Sequence, residues 1–408
     1  MKFFKATIRD VPLEHKTVLV RADYTVPLDK EGKISDDLRI RASIPTLQYL
    51  IDRGCKVVIM SHLGRPEGKP NEDYSLQVVA ERLANLLGRS VRCVEECKGD
   101  RVRQAVKLAP KNAVVLLENV RFYAEEEAND YDFAKQIADA VRADYFVQDG
   151  FGVVHRAHAS TDAITLRIPA VAGLLLEREY TTISAAMAEP KRPLVAIMGG
   201  AKVSDKIAVI ERFVEVADTI LIGGAMANTF LNYKGVKVGA SKYEDGQSDV
   251  LDAIYAAARK KVGDDNVDQF IQLPTDVATA TEIRDDAERT VKTIHMVQKD
   301  DMILDIGDET IERYTQILAG AQTVVWNGPV GYSEVQAFAH GSARIALELA
   351  KHPDSTSIVG GGDTADFVLK WDAREGESFT HVSTGGGAGL DLMAGKKLPG
   401  VERLLDAH

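Results

Sequence analysis

Cysteine, long apolar segments and an excess of positive charge are all missing from this sequence. Its 408 residues contain only three cysteines, Cys55, Cys93 and Cys97, without a second Cys or His pair at zinc-ligand spacing. They exclude a disulfide framework and indicate reduced, packed cysteines of a cytoplasmic protein. No run approaches the roughly 18 apolar residues of a membrane span, and Lys2 and Lys5 interrupt any signal peptide. The net charge of −11 argues against nucleic acid or an acidic membrane as a partner.

Several common site signatures are absent too. There is no G-x-x-x-x-G-K-[ST] P-loop, no H-E-x-x-H and no EF-hand loop. The first apolar run is followed by Arg21-Ala22-Asp23 instead of G-x-G-x-x-G, which argues against a dinucleotide oxidoreductase. His155 and His158 have a spacing that could suit a metal, but no third ligand is near in sequence, so a structural role is favoured.

What the chain does have is a series of short, continuous apolar runs separated by segments of helical period. In residues 75–87, for example, Leu76, Val79, Leu83 and Leu86 recur every three or four positions. Continuous runs are typical of strands buried on both faces, and their alternation with helices predicts α/β architecture with parallel sheets. The predicted strands include residues 18–20, 57–60, 114–117, 194–198, 220–222, 324–326 and 357–359.

The chain length suits two domains of roughly 150–200 residues each. Leu176, Tyr180, Ile183 and Met187 repeat as one helical face between Pro169 and Pro190. We interpret this segment as a helix that joins two domains, although a crossover helix within one sheet would show the same pattern. The predicted organisation is an N-terminal domain over 1–170, a joining helix over 171–188 and a C-terminal domain over 189–390.

The predicted strand ends differ between the two halves, and ligands of parallel sheets bind at the carboxyl ends of strands. In the first half these ends are basic and polar, with Arg21, His62, Arg65, Arg121 and Arg156. In the second half they are glycine-rich, in the segments 199–200, 223–224, 360–362 and 385–387. Glycine lets a backbone approach phosphate closely, and helix N-termini offer free N–H groups. One half therefore suits a small anion and the other a nucleotide, although each arginine alone could be a surface ion-pair residue and each Gly-Gly a simple turn.

These strand ends resemble the phosphoglycerate kinase family in chain order and over nearly the full length. The segments that carry the resemblance are 21–27, 61–66, 117–122, 151–161, 199–206, 326–334, 360–364 and 383–387. The resemblance implies two doubly wound, Rossmann-like domains that face a cleft and are joined by a hinge helix. It also implies that residues 391–408 return to the first domain.

The resemblance further implies a reversible, Mg²⁺-dependent transfer between 1,3-bisphosphoglycerate and ADP, giving 3-phosphoglycerate and ATP, by a cytoplasmic monomer. It assigns substrate binding to Asp23, Thr25, Arg39, His62, Leu63, Gly64, Arg65, Arg121 and Arg156. It assigns nucleotide binding to Gly200, Lys202, Lys206, Gly224, Asn327, Pro329, Glu334, Gly361, Gly362, Asp363 and Thr364, with Asp363 as the metal ligand. Catalysis is assigned to Arg39, Lys202, Gly362 and Gly385.

Alternatives remain for the individual residues. Asp23 could be an ion-pair partner of Arg21 or Arg39, and His62 could cap a loop. Lys202 and Lys206 are four apart, which predicts one face at the start of a helix, either toward phosphate or toward solvent. Asp363 could be a helix N-cap, and Glu334 a surface carboxylate.

The chain departs from the usual family pattern at several positions. These are Thr25 for Asn, Gln148-Asp149-Gly150 for Asn-Asp-Ala, Gly307-Asp308 for Gly-Pro, and Tyr332-Ser333 for Val-Phe. None removes a basic or metal-binding residue on which the prediction depends. A non-catalytic sensor of nucleotides or phosphometabolites, and a kinase for another carboxylate, remain as rival functions.

Overall fold

Two six-stranded sheets organise the computed structural model, which describes residues 2–407. The chain divides into two compact units. Unit 1 comprises the residues up to Thr181 together with those from Lys396 on, and unit 2 comprises Thr182–Gly395. Among the described residues, no helix is both long enough and apolar enough to cross a membrane.

The sheet of unit 1 is built entirely from parallel strands. Its spatial order is β3-β4-β2-β1-β5-β6, so β1 lies at the centre with chain connections leaving it in both directions. The strands are β1 (Thr17–Arg21), β2 (Lys56–Met60), β3 (Val91–Val94), β4 (Val114–Leu117), β5 (Tyr145–Gln148) and β6 (Ala170–Ala172).

Helices connect these strands, as the alternating sequence pattern predicted. They are α1 (Leu38–Asp52), α2 (Gln77–Leu87), α3 (Gly99–Leu108), α4 (Ala124–Glu127), α5 (Tyr131–Val141) and α6 (Leu174–Ala188). The predicted joining helix corresponds to α6, and the division between the units falls within it. It begins at Leu174, later than predicted, because Ala170–Ala172 extend the sheet as β6.

The core of unit 1 explains why its strands read as continuous apolar runs. Val57, Val58, Ile59 and Met60 of β2 are all fully buried, since the strand has a packed layer on each face. Leu47 and Leu50 of α1 belong to the same buried cluster as Val57 and Ile59.

Unit 2 has a second parallel sheet with the order β15-β14-β13-β7-β8-β9. A three-stranded antiparallel sheet with the order β11-β10-β12 accompanies it, which the sequence pattern did not predict. The strands are β7 (Leu194–Met198), β8 (Thr219–Ile222), β9 (Ile271–Gln272), β10 (Asp276–Ala280), β11 (Thr290–Thr293), β12 (Met302–Ile306), β13 (Thr323–Asn327), β14 (Thr356–Gly360) and β15 (His381–Val382).

The helices of unit 2 again follow the strands. They are α7 (Ile207–Val216), α8 (Gly224–Tyr233), α9 (Ser248–Val262), α10 (Val267–Phe270), α11 (Asp308–Ala319), α12 (His340–Ala350), α13 (Gly362–Trp371) and α14 (Gly387–Met393). The buried Trp326 of β13 and Tyr314 of α11 lie in the core of this unit.

The C-terminal segment packs within unit 1. The backbone N–H of Leu405 donates to the carbonyl of Ala170 at 2.9 Å, and the carbonyl of Leu405 accepts from the N–H of Ala6 at 2.7 Å. A short helix, α15 (Pro399–Glu402), precedes this contact and buries Val401.

Both parallel sheets have a point at which the chain changes winding direction. In unit 1 it lies between β1 and β5, and in unit 2 between β7 and β13. The carboxyl ends of these strands carry the predicted basic and glycine-rich segments. Ligand sites of doubly wound sheets form at such points, so each unit has its candidate site at this edge.

Candidate active site

In unit 1, Asp23 follows β1 directly and is held by two neighbours. Its Oδ2 lies 2.5 Å from Nη1 of Arg39, the second residue of α1. Its Oδ1 accepts hydrogen bonds from the backbone N–H of Thr25 at 3.0 Å and from the Thr25 hydroxyl at 2.7 Å. Burial raises the pKa of Asp23, but Arg39 and the Thr25 bonds outweigh it and hold that pKa well below its usual value. Of the two ion pairs considered for Asp23, the one with Arg39 forms.

His62, in the loop after β2, has its tautomer fixed by its neighbours. Its Nδ1 lies 3.2 Å from Nη2 of Arg21, which has only hydrogens to donate, so Nδ1 must be the acceptor. The ring hydrogen is therefore on Nε2, 3.0 Å from the Thr25 hydroxyl oxygen. Burial, assisted by the charges of Arg21, Arg121 and Arg39, lowers the pKa of His62 well below its usual value. His62 is thus a neutral donor to Thr25.

Arg121 is buried after β4 and supports the loop that follows β2. Its Nη1 donates to the carbonyl of Gly64 at 3.0 Å, and its Nε lies 3.3 Å from Oε1 of Glu127. Leu63 is held nearby, because its carbonyl accepts from the side-chain amide of Asn119 at 2.7 Å. Gly64 has a φ of +64°, a left-handed conformation that favours glycine.

Two further arginines were predicted for this site, Arg65 in the loop after β2 and Arg156 after β5. Arg156 is half-buried, and its Nε donates to Nε2 of His155 at 3.2 Å. Burial and the charges of Arg121, Arg21 and Arg156 lower the pKa of His158 to about 4, so these three cations act at one place. Arg65 is exposed and forms no hydrogen bond or ion pair within residues 2–407.

We call the four arginines Arg21, Arg39, Arg121 and Arg156, together with the neutral ring of His62, the cationic cluster of unit 1. His155 and His158 lie beside it, and among residues 2–407 no group of three His, Cys, Asp or Glu side chains is placed to hold a metal ion.

In unit 2 the loops after β7 and β13 lie backbone against backbone. The N–H of Gly199 donates to the carbonyl of Asn327, and the N–H of Gly200 donates to the carbonyl of Pro329, both at 2.9 Å. A Cβ on Gly224 would lie 2.8 Å from the Pro329 oxygen, which is too close for any other residue type. We call these segments and the N-termini of α13 and α14 the glycine loops of unit 2.

Lys206 is the cation seated among these loops. Its Nζ donates to the carbonyl of Gly199 at 2.8 Å and to that of Asn327 at 3.3 Å. Burial lowers the pKa of Lys206 to about 8, although the carboxylates of Asp363 and Asp205 oppose that change.

The prediction that Lys202 and Lys206 share one face of a helix is wrong. The helical region begins with a 3₁₀ turn at Ser204–Lys206 and continues as α7, so Lys202 precedes it. Lys202 is exposed, while Lys206 is half-buried, because the chain turns between them to pack Val203 into the core.

Asn327 and Thr364 meet where β13 ends. Both amide atoms of Asn327 are buried, and neither has a hydrogen-bond partner within residues 2–407. The hydroxyl of Thr364 accepts from the N–H of Gly328 at 2.7 Å. A buried side-chain amide without a partner is costly, so the amide of Asn327 is a candidate for hydrogen bonding to a ligand.

Asp363 is the second residue of α13 and is exposed. The alternative that it is the helix N-cap is wrong, because Gly361 occupies the cap position with a φ of +88° and no side-chain bond. The first N–H groups of α13 therefore face outward beside Gly362. The carboxylate of Asp363 raises the pKa of Lys206, so the two side chains interact electrostatically.

The remaining predicted residues of unit 2 lie at its surface or at the last strand. Glu334 is exposed in the loop after β13. Gly385 is buried after β15, and its N–H donates to the hydroxyl of Ser383 at 3.0 Å. Gly386 then takes a φ of +49° at the start of α14.

Comparison with known proteins places this arrangement in one family. The family model described as phosphoglycerate kinase matches residues 8–396. A phosphoglycerate kinase of Moorella thermoacetica is 46% identical over 403 residues, covering 98% of this chain and 99% of the relative. One of Dictyoglomus turgidum is 45% identical, with 98% of both chains covered.

The chain belongs to the phosphoglycerate kinase family.

Solved structures agree with this assignment. The phosphoglycerate kinase of Coxiella burnetii has a TM-score of 0.83 with 37% identity, and that of Pyrococcus horikoshii has 0.83 with 33%. Each alignment covers 98% of both chains. The predictions of family, of two parallel α/β sheets and of a phosphotransferase of glycolysis are therefore confirmed.

Three of the departures from the usual family pattern are accommodated locally, whereas Gln148 is fully buried and neither of its side-chain amide atoms has a hydrogen-bond partner within residues 2–407. The Thr25 hydroxyl links His62 to Asp23, so the lost amide leaves no gap in the chain of hydrogen bonds. Asp308 pairs with Arg289 at 3.0 Å. Tyr332 is largely solvent-exposed, and its N–H donates to the carbonyl of Leu304 at 2.7 Å.

Sequence reasoning missed Arg21 as the organiser of the cationic cluster. Arg21 is fully buried; its Nε donates to the hydroxyl of Ser160 at 2.7 Å, and its Nη2 lies 4.0 Å from Oε1 of Glu126. The available signal was its position, because an arginine that ends a buried strand needs buried partners.

The first prediction concerns the protonation of His62. Because burial and three arginines depress its pKa, its ring should remain neutral until the pH is well below 6.5. In the unfolded chain the ring takes its proton near pH 6.5, so acid below that pH should favour unfolding through this group. Imidazole NMR spectra between pH 5 and 8 should show an unchanged His62 signal; a His62 midpoint near 6.5 would contradict the geometry.

Proposed function

We propose that this chain catalyses the reversible transfer of a phosphoryl group from 1,3-bisphosphoglycerate to ADP, giving 3-phosphoglycerate and ATP. The proposal depends on one observation: a single chain of this family carries both the cationic cluster of unit 1 and the glycine loops of unit 2. The cluster suits a small, multiply charged anion, and the loops suit nucleotide phosphates.

Unit 1 would bind the phosphoglycerate. Arg39, Arg65, Arg121 and Arg156 would provide charged donors for its phosphate and carboxylate, since guanidinium groups bind such oxygens in bidentate fashion. Asp23, ionised and fixed by Arg39, would accept the substrate hydroxyl. Leu63 and Gly64 would line this site from the loop after β2. Thr25, which donates to Asp23, and the neutral ring of His62, which donates to Thr25, would line it as well.

Unit 2 would bind ADP or ATP. Lys206 and the N–H groups of Gly361 and Gly362 would contact the phosphates, and the buried amide of Asn327 would gain a partner. Glu334 would bond the ribose from its exposed position. Gly200, Gly224, Pro329 and Thr364 would shape the loops that these groups share.

A magnesium ion fits the carboxylate that is present. Mg²⁺ commonly binds through one or two carboxylates together with substrate phosphates, and Asp363 is an exposed carboxylate at the N-terminus of α13, within electrostatic reach of Lys206. When bound with the nucleotide, the ion would neutralise charge on the phosphate oxygens.

The chemistry needs no general base. An oxygen of the ADP β-phosphate, already ionised, attacks the acyl phosphorus; the new P–O bond forms as the bond to the carboxyl oxygen breaks, and 3-phosphoglycerate leaves as a carboxylate. The protein's part is alignment and neutralisation of charge on the transferred group. Arg39 from unit 1, and Lys202, Gly362 and Gly385 from unit 2, would bind its equatorial oxygens.

Because the two substrates would be held by different units, transfer requires hinge-bending that brings the reacting atoms to about 3–3.5 Å. We further propose that the enzyme acts as a cytoplasmic monomer on small molecules alone, without nucleic acid or membrane partners.

The decisive experiment is a steady-state assay with 3-phosphoglycerate, ATP and Mg²⁺, coupled to detection of the acyl phosphate. Turnover that requires both Mg²⁺ and 3-phosphoglycerate supports the proposal. Nucleotide binding without turnover would instead identify a sensor, and a preference for another carboxylate in substrate competition would identify a different kinase.

The second prediction tests Lys202. Lys202→Ala should lower kcat by about 10²–10³, because it removes a donor to charge that develops during transfer. The Kd for ADP, measured by calorimetry, should change by less than about threefold, since phosphate binding before transfer would depend on Lys206. Lys260→Ala, at an exposed position of α9, is the matched control and should leave both values unchanged. Equal losses of kcat and affinity in Lys202→Ala would rule out its role in the transition state.

The third prediction concerns Lys206 and pH. Its pKa of about 8 means that the ammonium group is charged below pH 8 and loses its proton above it. Affinity for ADP should therefore fall as the pH rises through 8. Lys206→Arg keeps its charge throughout, so its Kd should stay flat over the same range. If the two proteins show identical pH profiles, Lys206 does not bind phosphate as its charged form.

A further inference from the structure

The end of β5 contains a buried carboxylate that binds no part of the proposed substrates. Asp149 follows Gln148, and its backbone N–H donates to the carbonyl of Arg21 at 2.9 Å. Its Oδ1 accepts from the N–H of Leu175 in the first turn of α6, at 3.0 Å. Asp149 therefore caps the helix within which the chain passes from unit 1 to unit 2.

Thr46 joins the same carboxylate to α1. Its hydroxyl donates to Oδ1 of Asp149 at 2.9 Å and accepts from the N–H of Leu174, also at 2.9 Å. Thr46 is fully buried and lies about two helical turns after Arg39 on the same helix. The same helix thus carries the arginine that pairs with Asp23 and the threonine that holds α6, with Pro45 directly before that threonine.

Two glycines show how tightly this junction packs. A Cβ on Gly150 would lie 3.0 Å from the carbonyl carbon of Ala22 and 3.1 Å from the nitrogen of Asp23. A Cβ on Gly173 would lie 2.6 Å from Cγ of Asp149. A side chain at Gly173 would therefore displace the Asp149 carboxylate, and one at Gly150 would press on the backbone that leads from β1 to Asp23.

Asp149 also has a feature that a simple helix cap does not require. Its Oδ2 is buried without a hydrogen-bond partner in residues 2–407, and burial raises the pKa of Asp149 to about 7. Exposed caps stabilise helices without this cost.

We propose that Thr46 and Asp149 are positioning residues that couple anion binding at Arg39 to the first turn of α6. This inference rests on the proposed function, because the anion is the phosphoglycerate. When the anion fixes Arg39 it fixes α1, and through Thr46 and Asp149 it holds the start of α6. The pair contributes to turnover while touching neither substrate.

The test compares Thr46→Val with Thr46→Ser in the full-length protein. Valine keeps the volume and removes both hydrogen bonds; serine keeps the hydroxyl. We expect Thr46→Val to lower kcat about tenfold, a typical coupling between sites, with both KM values within about twofold of the wild type. Thr46→Ser should restore kcat.

A matched control is available in unit 2. The buried Thr310 donates to Oδ1 of Asp276 at 2.6 Å, and Asp276 in turn accepts from the N–H groups of Glu309 and Thr310 in the first turn of α11. Thr310→Val therefore breaks the same kind of buried Thr–Asp cap in a helix without Arg39. It should lower stability in urea unfolding to a similar extent but leave kcat near the wild-type value.

Hydrogen exchange supplies a readout of which the first part needs only the wild-type protein. In the wild-type protein, 3-phosphoglycerate should slow exchange of the amides of Leu174 and Leu175, and Thr46→Val should abolish this effect. The inference is wrong if substrate leaves these amides unchanged in the wild type, if the protection persists in Thr46→Val, or if the kcat values of Thr46→Val and Thr310→Val are equal. A wild-type protein without turnover would refute the proposed function itself.

Discussion

A guanidinium group buried at the end of β1 is the constraint around which unit 1 is arranged. Removing a charge from water costs several kcal/mol even after the surroundings relax, so Arg21 must be surrounded by acceptors. Ser160, His62 and the carboxylate of Glu126 meet this need. Because Arg21 donates to His62, the imidazole has only one tautomer available. This tautomer sets the direction of the hydrogen bonds that follow. His62 donates to Thr25, Thr25 to Asp23, and Asp23 holds Arg39.

In unit 2 the loops of the candidate site are held mainly by backbone hydrogen bonds instead of charged side chains. Its loops are fixed by backbone hydrogen bonds among Gly199, Gly200, Asn327 and Pro329, which approach one another more closely than side chains would allow. Lys206 lies among these loops with its charge partly removed from water, and the carbonyl oxygens of Gly199 and Asn327 accept its hydrogen bonds. Within these loops the Asn327 amide has no hydrogen-bond partner among residues 2–407, and the nearby N-terminus of α13 is a place where an anionic ligand would be stabilised.

The difference between the units matches the chemistry proposed for them. A small, highly charged acid can be recognised mainly by cations, which must be held apart and oriented before it arrives. A nucleotide also needs close backbone contact along its phosphates, which glycine permits. The titratable groups of the candidate site in unit 1 are already committed to partners, His62 to Arg21 and Thr25 and the Asp23 carboxylate to Arg39 and Thr25. A transfer between groups that are already ionised requires no general base.

The sequence determined the layout of this protein. Continuous apolar runs identified the buried parallel strands, and the repeat of Leu176, Tyr180, Ile183 and Met187 identified the helix predicted over 171–188, which is α6. The residues after each strand marked one cationic and one glycine-rich half. These features are local, so composition and period are enough to reveal them. The individual roles of the site residues remain predictions.

Only the tertiary structure decided which partner each polar group takes. Arg21, the last residue of β1, is fully buried among Ser160, His62 and Glu126, whereas Arg65, in the loop after β2, is exposed; only the packing shows which partners surround each guanidinium group. The spacing of Lys202 and Lys206 predicted a shared helical face, yet the chain turns between them to bury Val203. The junction of Thr46, Asp149 and Leu174 joins residues far apart in the chain. Such contacts depend on how strands and helices pack in three dimensions, which no local pattern encodes.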